Sequence, residues 1–164
     1  MCGIAGLFDL RGLRPFSRAL MATINDIQAH RGPDEADLHL EPGLALGHRR
    51  LSVIDLATGL QPQFNADGTV AIVFNGEIYN YRELTAELKG LGYAFKTRSD
   101  TEVIVHAWEA WGEKCVDRLR GMFAFTIWDR KVQTLFLARD RMGVKPMHYS
   151  LLADGTFVFG SELK

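Results

Sequence analysis

The chain has 164 residues, of which 47% are apolar and 24% charged, as is ordinary for a single soluble globular domain. The formal net charge of -1 at pH 7 provides no electrostatic case for binding nucleic acid or an anionic membrane surface. No apolar run is long enough to span a bilayer, and the N-terminus lacks the basic and apolar regions of a secretory signal.

The N-terminal half predicts strands around one amphipathic helix. Residues 3–9 are mostly apolar and include two glycines, which predicts a buried strand with few large side chains. Leu20, Ile24 and Ile27 recur at helical spacing, and Gly32-Pro33 would end that helix. Two further strands are predicted over 44–50 and 70–75. A long loop is predicted between them, over 55–68.

Two helices follow. The first is predicted to begin at Asn80 and to end near Gly90. The second begins at Ser99-Asp100-Thr101-Glu102, which matches a capping box. Their apolar faces comprise Leu84, Leu88 and Leu91 in the first helix and Ile104, Ala107, Trp108 and Trp111 in the second.

The remaining segments predict strands. Residues 122–128 are apolar on both faces, which favours a central strand covered on both sides. Further strands are predicted over 134–138, 147–150 and 156–160. Because few strand–helix–strand alternations occur, we expect antiparallel sheets with helices outside, an α+β layered domain.

Cys2, directly after Met1, is the clearest candidate for a catalytic residue. If Met1 is removed, Cys2 carries both a nucleophilic thiol and an α-amine that can accept its proton. The alternative is a small buried residue at the start of a strand, because free cysteines are commonly of that kind. Cys115 is interpreted as an inert core residue. Two cysteines form no disulfide scaffold and favour a reducing, cytoplasmic setting.

Asn75 and Gly76 follow the predicted strand at 70–75 and precede Glu77. A glycine N–H and a neighbouring asparagine amide are two neutral donors that suit the oxyanion of a tetrahedral intermediate. The alternative is an Asn-Gly hairpin turn, but the residues after Gly76 have little turn character.

Two charged residues at element ends are candidates for ligand binding. Arg50 ends a predicted apolar strand and has the donor geometry to bind a carboxylate. Asp100 lies at a predicted helix N-terminus and has the charge to bind an ammonium group. The alternatives are a structurally paired arginine and a helix cap. The five histidines show no metal-ligand spacing, and no phosphate loop or dinucleotide motif occurs.

An ordered set of segments is shared with one family. The set comprises Met1-Cys2-Gly3-Ile4-Ala5-Gly6 and residues 30–34, 46–55, 61–62, 75–83, 99–104, 120–129, 138–146 and 160–164. The chain thereby resembles the glutaminase domain of class II glutamine amidotransferases, in the branch of the glutamine-hydrolysing asparagine synthetases. The resemblance covers essentially all of residues 1–164.

This resemblance implies an N-terminal-nucleophile hydrolase fold, in which two stacked antiparallel sheets lie between helices (αββα). It implies that Cys2 attacks the side-chain amide of L-glutamine and forms a thioester, with its α-amine as base and then acid. The implied oxyanion hole is Asn75 and the Gly76 amide. The implied substrate contacts are Arg50 at the α-carboxylate, Glu77 and Asp100 near the α-amino group, and the backbone of Val53.

The resemblance also implies a C-terminal synthetase domain outside this chain, which uses ATP and magnesium to consume the ammonia. No cofactor or metal is expected in the glutaminase domain itself, and no nucleic acid or membrane partner is expected. A glutaminase serving a different acceptor stays an alternative, as does a non-catalytic binding domain if Met1 is retained. A homodimer stays open.

Overall fold

The chain forms two stacked antiparallel sheets with helices on their outer faces, described over residues 1–12, 14–51 and 59–163 in a computed structural model. The strands are β1 (Gly3–Asp9), β2 (Glu35–Glu41), β3 (Leu44–Arg50), β4 (Gln63–Phe64), β5 (Val70–Ile78), β6 (Gly121–Asp129), β7 (Thr134–Arg139), β8 (His148–Leu151) and β9 (Thr156–Gly160). The helices are α1 (Arg18–Ile27), α2 (Tyr81–Gly90) and α3 (Asp100–Trp111), which a short 3-10 helix (Gly112–Asp117) follows.

The two sheets pack against each other through apolar side chains, and the helices pack on the outer face of each sheet. One sheet has the strand order β2-β3-β1-β9-β8, and the other has the order β4-β5-β6-β7. The space between the sheets is filled by Ile4, Leu44, Leu46, Ala71, Val73, Ala124, Trp128 and Phe159. α1 packs on the outer face of the five-stranded sheet, and α2 and α3 cover the outer face of the four-stranded sheet. The predicted α+β class and αββα layering are confirmed.

Strand alternation directs the residues of β5 to two different layers. Ile72 and Phe74 pack in the cluster beneath α2 and α3, while Ala71 and Val73 pack between the sheets. The same alternation places Asn75 on the inner face. β6 is buried in both layers, which confirms the central strand predicted at 122–128.

The helix α1 forms and Ile24 packs toward the sheet as predicted, but the other two residues of its predicted apolar face do not. Leu20 and Ile27 are 50% and 41% exposed, whereas Met21 and Asn25 are buried against the sheet. The Asn25 side chain donates to the His48 backbone carbonyl, so a polar residue occupies part of the buried face. The helix ends at Ile27 rather than at Gly32-Pro33, because residues 28–31 form turns.

The strands differ from prediction at three places. β5 continues to Ile78, so Asn75 and Gly76 lie inside a strand and not at a strand end or in a hairpin turn. β2 was not predicted, because its sequence is mostly polar and only partly buried. The predicted loop at 55–68 contains β4, and its first part lies outside the described residues.

The helix predictions need smaller corrections. Leu84 and Leu88 are buried as predicted, but Leu91 is exposed beyond the end of α2. Ser99 caps α3 by accepting the Thr101 N–H, whereas Glu102 accepts backbone N–H groups further back, at residues 96 and 97, rather than completing a capping box. In the described ranges, no helix has the length and apolar character needed to cross a bilayer.

We expect Gly121→Ala to lower the free energy of unfolding by about 1–3 kcal/mol. A Cβ at Gly121 would collide with the Glu77 backbone oxygen and lie 3.0 Å from the Ile78 Cα, because β5 and β6 approach closely there. Urea unfolding measures the change. Gly90→Ala is the control, since Gly90 ends a helix in open space and alanine stabilises helices by up to about 1 kcal/mol. An unchanged free energy in Gly121→Ala would contradict this strand packing.

Candidate active site

The register of β1 and β3 determines where Cys2 lies. Gly3 is opposite Arg49, so Cys2 lies directly beside the end of β3. The Leu51 N–H donates to the Cys2 Sγ at 3.4 Å, and the Sγ is 3.7 Å from the Leu51 carbonyl oxygen. The Cys2 carbonyl accepts the Arg31 Nε–H at 3.1 Å. The thiol is therefore held in place while remaining partly exposed.

A cavity of about 250 Å³ collects residues from both sheets and from the start of α3. It is lined by the sequence candidates Cys2, Arg50, Asn75, Gly76, Glu77 and Asp100. These residues are far apart in the sequence, and the stacking of the two sheets brings them together. Val53, the remaining candidate, lies outside the described residues.

The Gly76 N–H points away from β6. Gly76 lies opposite Phe123, and Phe123 uses both its N–H and its carbonyl in hydrogen bonds with Asp140, on the far side of β6. Gly76 and Phe123 therefore form a non-hydrogen-bonded pair of the antiparallel ladder. The Gly76 amide consequently lies along the other edge of β5, where Gly76 lines the cavity.

Side chains replace a neighbouring strand along that edge, because β4 pairs with β5 only at residues 71 and 72. The Phe74 N–H donates to the Gln61 Oε1 at 2.6 Å, and the Ile78 N–H donates to the Asp100 Oδ2 at 3.0 Å. Gly76 lies between these two donors in the strand alternation. Its amide therefore faces the cavity while the N–H groups on either side are bonded within the protein.

Asn75 supplies a second donor beside Gly76. Its side chain is buried, and no residue in the described part of the chain accepts a hydrogen bond from its Nδ2. A buried donor without an acceptor is uncommon and indicates a ligand or water partner. Two adjacent neutral donors in a cavity that also holds a thiol are suited to an oxyanion.

Gly76 is also required by strand packing. A Cβ at this position would collide with the Met122 backbone oxygen and lie 2.7 Å from the Phe123 Cα. The glycine therefore has a structural reason as well as a chemical one.

Arg50 is buried and carries a positive charge into the cavity. Its NH1 donates to the Glu35 Oε2 at 2.7 Å. Arg50 is therefore a structurally paired arginine, which was the alternative to ligand binding, and it also lines the cavity. A guanidinium presents its donors in a planar fork that matches a carboxylate, which is the interaction predicted for Arg50.

Asp100 and Glu77 form an acidic side of the cavity. Burial raises the pKa of Asp100 to about 6, and the charge of Glu77 adds to the rise, while the hydrogen bond from the Ile78 N–H opposes it. Ser99 provides the side-chain cap of α3, which leaves the Asp100 carboxylate directed to β5 and the cavity.

Sequence reasoning missed several residues of the cavity, among them Gln61, Met122 and Lys145. Lys145 is buried, and its backbone N–H donates to the Asp140 carboxylate at 3.0 Å. Gln61 and Lys145 belong to segments 61–62 and 138–146, but a polar residue gives no sequence signal of burial when its contacts are distant in the chain. His48, for which the sequence showed no metal-ligand spacing, is buried and bonded to Phe74.

Comparison with protein families gives a match over the whole chain. A family model described as a glutamine amidotransferase domain matches residues 1–164. Glutamine-hydrolysing asparagine synthetase 3 of Bacillus subtilis is 42% identical over 167 residues, which include all of this chain and 27% of that protein. The asparagine synthetase of Zea mays is 40% identical over 164 residues, with 100% and 28% covered. The chain thus spans about a quarter of the length of these relatives.

Solved structures show the same fold. A glutamine phosphoribosylpyrophosphate amidotransferase from Bacillus subtilis, complexed with ADP and GMP, matches with a TM-score of 0.76 at 23% identity. An allosteric regulatory enzyme of purine biosynthesis matches with a TM-score of 0.78 at 23% identity. Each alignment covers 98% of this chain and 42% of the other. The expected N-terminal-nucleophile hydrolase fold is confirmed.

We expect the change in the free energy of unfolding caused by Asp100→Asn to be more favourable at pH 7 than at pH 4. The folded-state pKa of about 6 lies above the ordinary 3.8, so the folded protein binds the proton more tightly and the wild type loses stability as pH rises from about 4 to 6. Asparagine does not titrate and can still accept the Ile78 N–H. Urea unfolding at the two pH values should show a relative gain of about 2 kcal/mol. An equal effect at both pH values would contradict the buried, proton-binding environment of Asp100.

Proposed function

Because the chain belongs to the glutamine amidotransferase family, we propose that the cavity is a glutaminase site, in which Cys2 attacks the side-chain amide of glutamine. The observation that carries the proposal is one cavity lined by a partly exposed thiol, a buried Asn75 amide without an acceptor in the described residues, and the outward Gly76 N–H.

The charges around the cavity match the two ends of an amino acid. Arg50 supplies a cation for the α-carboxylate, and Glu77 and Asp100 supply carboxylates for the α-ammonium group. Binding at these remote charges orients the side-chain amide toward Cys2 and provides the energy for that alignment. The backbone of Val53 is a further predicted contact outside the described residues.

The reaction proceeds through two acyl transfers. As the Cys2 Sγ bonds to the amide carbon, the Cys2 α-amine takes the thiol proton, and the oxyanion receives hydrogen bonds from Asn75 and Gly76. The resulting ammonium group returns a proton to the leaving nitrogen as the C–N bond breaks, which gives a thioester and ammonia. Water then attacks the thioester and releases glutamate. The α-amine requires removal of Met1, which is 55% exposed.

The ammonia serves a second domain in this proposal. Relatives of about 40% identity are named glutamine-hydrolysing asparagine synthetases and extend far beyond the part that this chain matches. We therefore assign the ATP- and magnesium-dependent step to a C-terminal synthetase domain of a longer protein. A glutaminase with another acceptor would share every step at Cys2 and differ only in the final product. The homodimer and the cytoplasmic location stay predictions.

We expect the protein without Met1 to release ammonia from glutamine and Cys2→Ala to abolish this release, because no other thiol lines the described cavity. A diazoketone analogue of glutamine should label Cys2, as peptide mass spectrometry can show. Cys115→Ala is the matched control and should keep its activity, since burial raises the pKa of the Cys115 thiol to about 12.

Undiminished ammonia release from Cys2→Ala would refute the assignment of the nucleophile. Labelling of Cys115 alone would refute it as well. Activity in protein that retains Met1 would remove the α-amine from the mechanism.

A further inference from the structure

The backbone of Phe74 is held by two side chains from different parts of the chain. The Gln61 Oε1 accepts the Phe74 N–H at 2.6 Å, and the His48 Nε2 lies 3.1 Å from the Phe74 carbonyl oxygen. Because a carbonyl can only accept, the His48 Nε2 must carry the proton. Phe74 directly precedes Asn75, so these bonds act on the strand segment that carries both proposed oxyanion donors.

His48 connects the two sheets. It lies on β3, two residues before Arg50 and in the strand beside Cys2, whereas Phe74 belongs to β5 in the other sheet. The hydrogen bond therefore joins the strand pair that carries the proposed nucleophile to the strand that carries the proposed oxyanion hole. The Asn25 side chain donates to the His48 carbonyl at 3.2 Å and restrains the histidine backbone from the α1 side.

The environment keeps this donor neutral. His48 is 1% exposed, and burial lowers its pKa to about 4, with the nearby Arg50 charge acting in the same direction. The ring therefore does not titrate near neutral pH, and its N–H is a permanent donor to Phe74.

We propose that His48 is a positioning residue, which sets the location of the Asn75 side chain and the Gly76 amide relative to the Cys2 Sγ through its hydrogen bond to the Phe74 carbonyl. The inference rests on the proposed function. His48 does not line the cavity that holds Cys2 and Asn75, so it acts through Phe74 and not on the substrate.

This role differs from ordinary core packing in its kinetic effect. Oxyanion donors act most strongly in the transition state, whereas Arg50, Glu77 and Asp100 bind the substrate's charged ends in the ground state as well. A displacement of about 1 Å in donor position can reduce turnover about 10²-fold. Loss of the His48 bond should therefore lower kcat much more than it raises KM.

The test is steady-state glutamine hydrolysis by purified variants, with folding checked by circular dichroism. We expect His48→Leu to lower kcat by roughly 10- to 100-fold and to change KM less than about threefold. His48→Gln, whose Nε2 can donate at nearly the same reach, should restore kcat to within about fivefold of wild type. The matched control is Thr126→Val, a buried change on the neighbouring β6 that should leave kcat unchanged.

A double-mutant cycle separates positioning from independent damage. If His48 acts through the oxyanion hole, His48→Leu should cost less in an Asn75→Ala background than in the wild type. Losses of kcat that simply multiply would overturn the proposal. If His48→Leu does not fold, His48→Asn replaces it, because its shorter side chain cannot present a donor at the Nε2 position; equal kcat for His48→Asn and His48→Gln would overturn the proposal.

The wild-type control distinguishes the two possible failures. If the wild type does not hydrolyse glutamine, the proposed function fails. If the wild type is active through Cys2 and folded His48→Leu keeps the wild-type kcat, only the positioning role fails. A rise in KM with unchanged kcat would also overturn that role and would assign His48 to substrate binding through Arg50.

Discussion

The open edge of β5 is the constraint on which the candidate site depends. β4 is too short to pair with β5 beyond residue 72, so the backbone groups that follow need other partners. Gln61 and His48 bond to Phe74, and Asp100 bonds to Ile78. Gly76 is left facing the cavity between these bonded positions. A missing strand neighbour thus becomes a place where a ligand oxygen can take a backbone hydrogen bond.

The stacking of two sheets supplies the other half of the site. Cys2 directly precedes β1 and Arg50 ends β3, while Asn75 and Gly76 belong to β5 in the facing sheet. Apolar side chains pack between the sheets, whereas many of the residues that line the cavity are polar. A nucleophile from one sheet and oxyanion donors from the other therefore meet only in the folded protein.

Runs of apolar residues predicted most strands, because the central strands of both sheets are buried. Helical spacing placed the wrong face of α1 toward the sheet, because the buried Asn25 is polar. β2 carried no apolar signal, because it is only partly buried. The residues themselves indicated five candidates, each with a structural alternative: Cys2, Asn75, Gly76, Arg50 and Asp100. The family resemblance favoured the functional interpretation of these residues and added Glu77 and Val53. The His48–Phe74 bond joins residues that are 26 positions apart, and no local pattern indicates such a contact.

The most direct measurement is a crystal structure of the protein after inactivation by the diazoketone analogue of glutamine. We predict a covalent bond to the Cys2 Sγ, with the ligand's keto oxygen about 3 Å from both the Asn75 Nδ2 and the Gly76 nitrogen. The ligand carboxylate should contact Arg50. A Cys2 adduct whose oxygen bonds to neither donor would contradict the proposal that two facing sheets build one oxyanion-stabilising site.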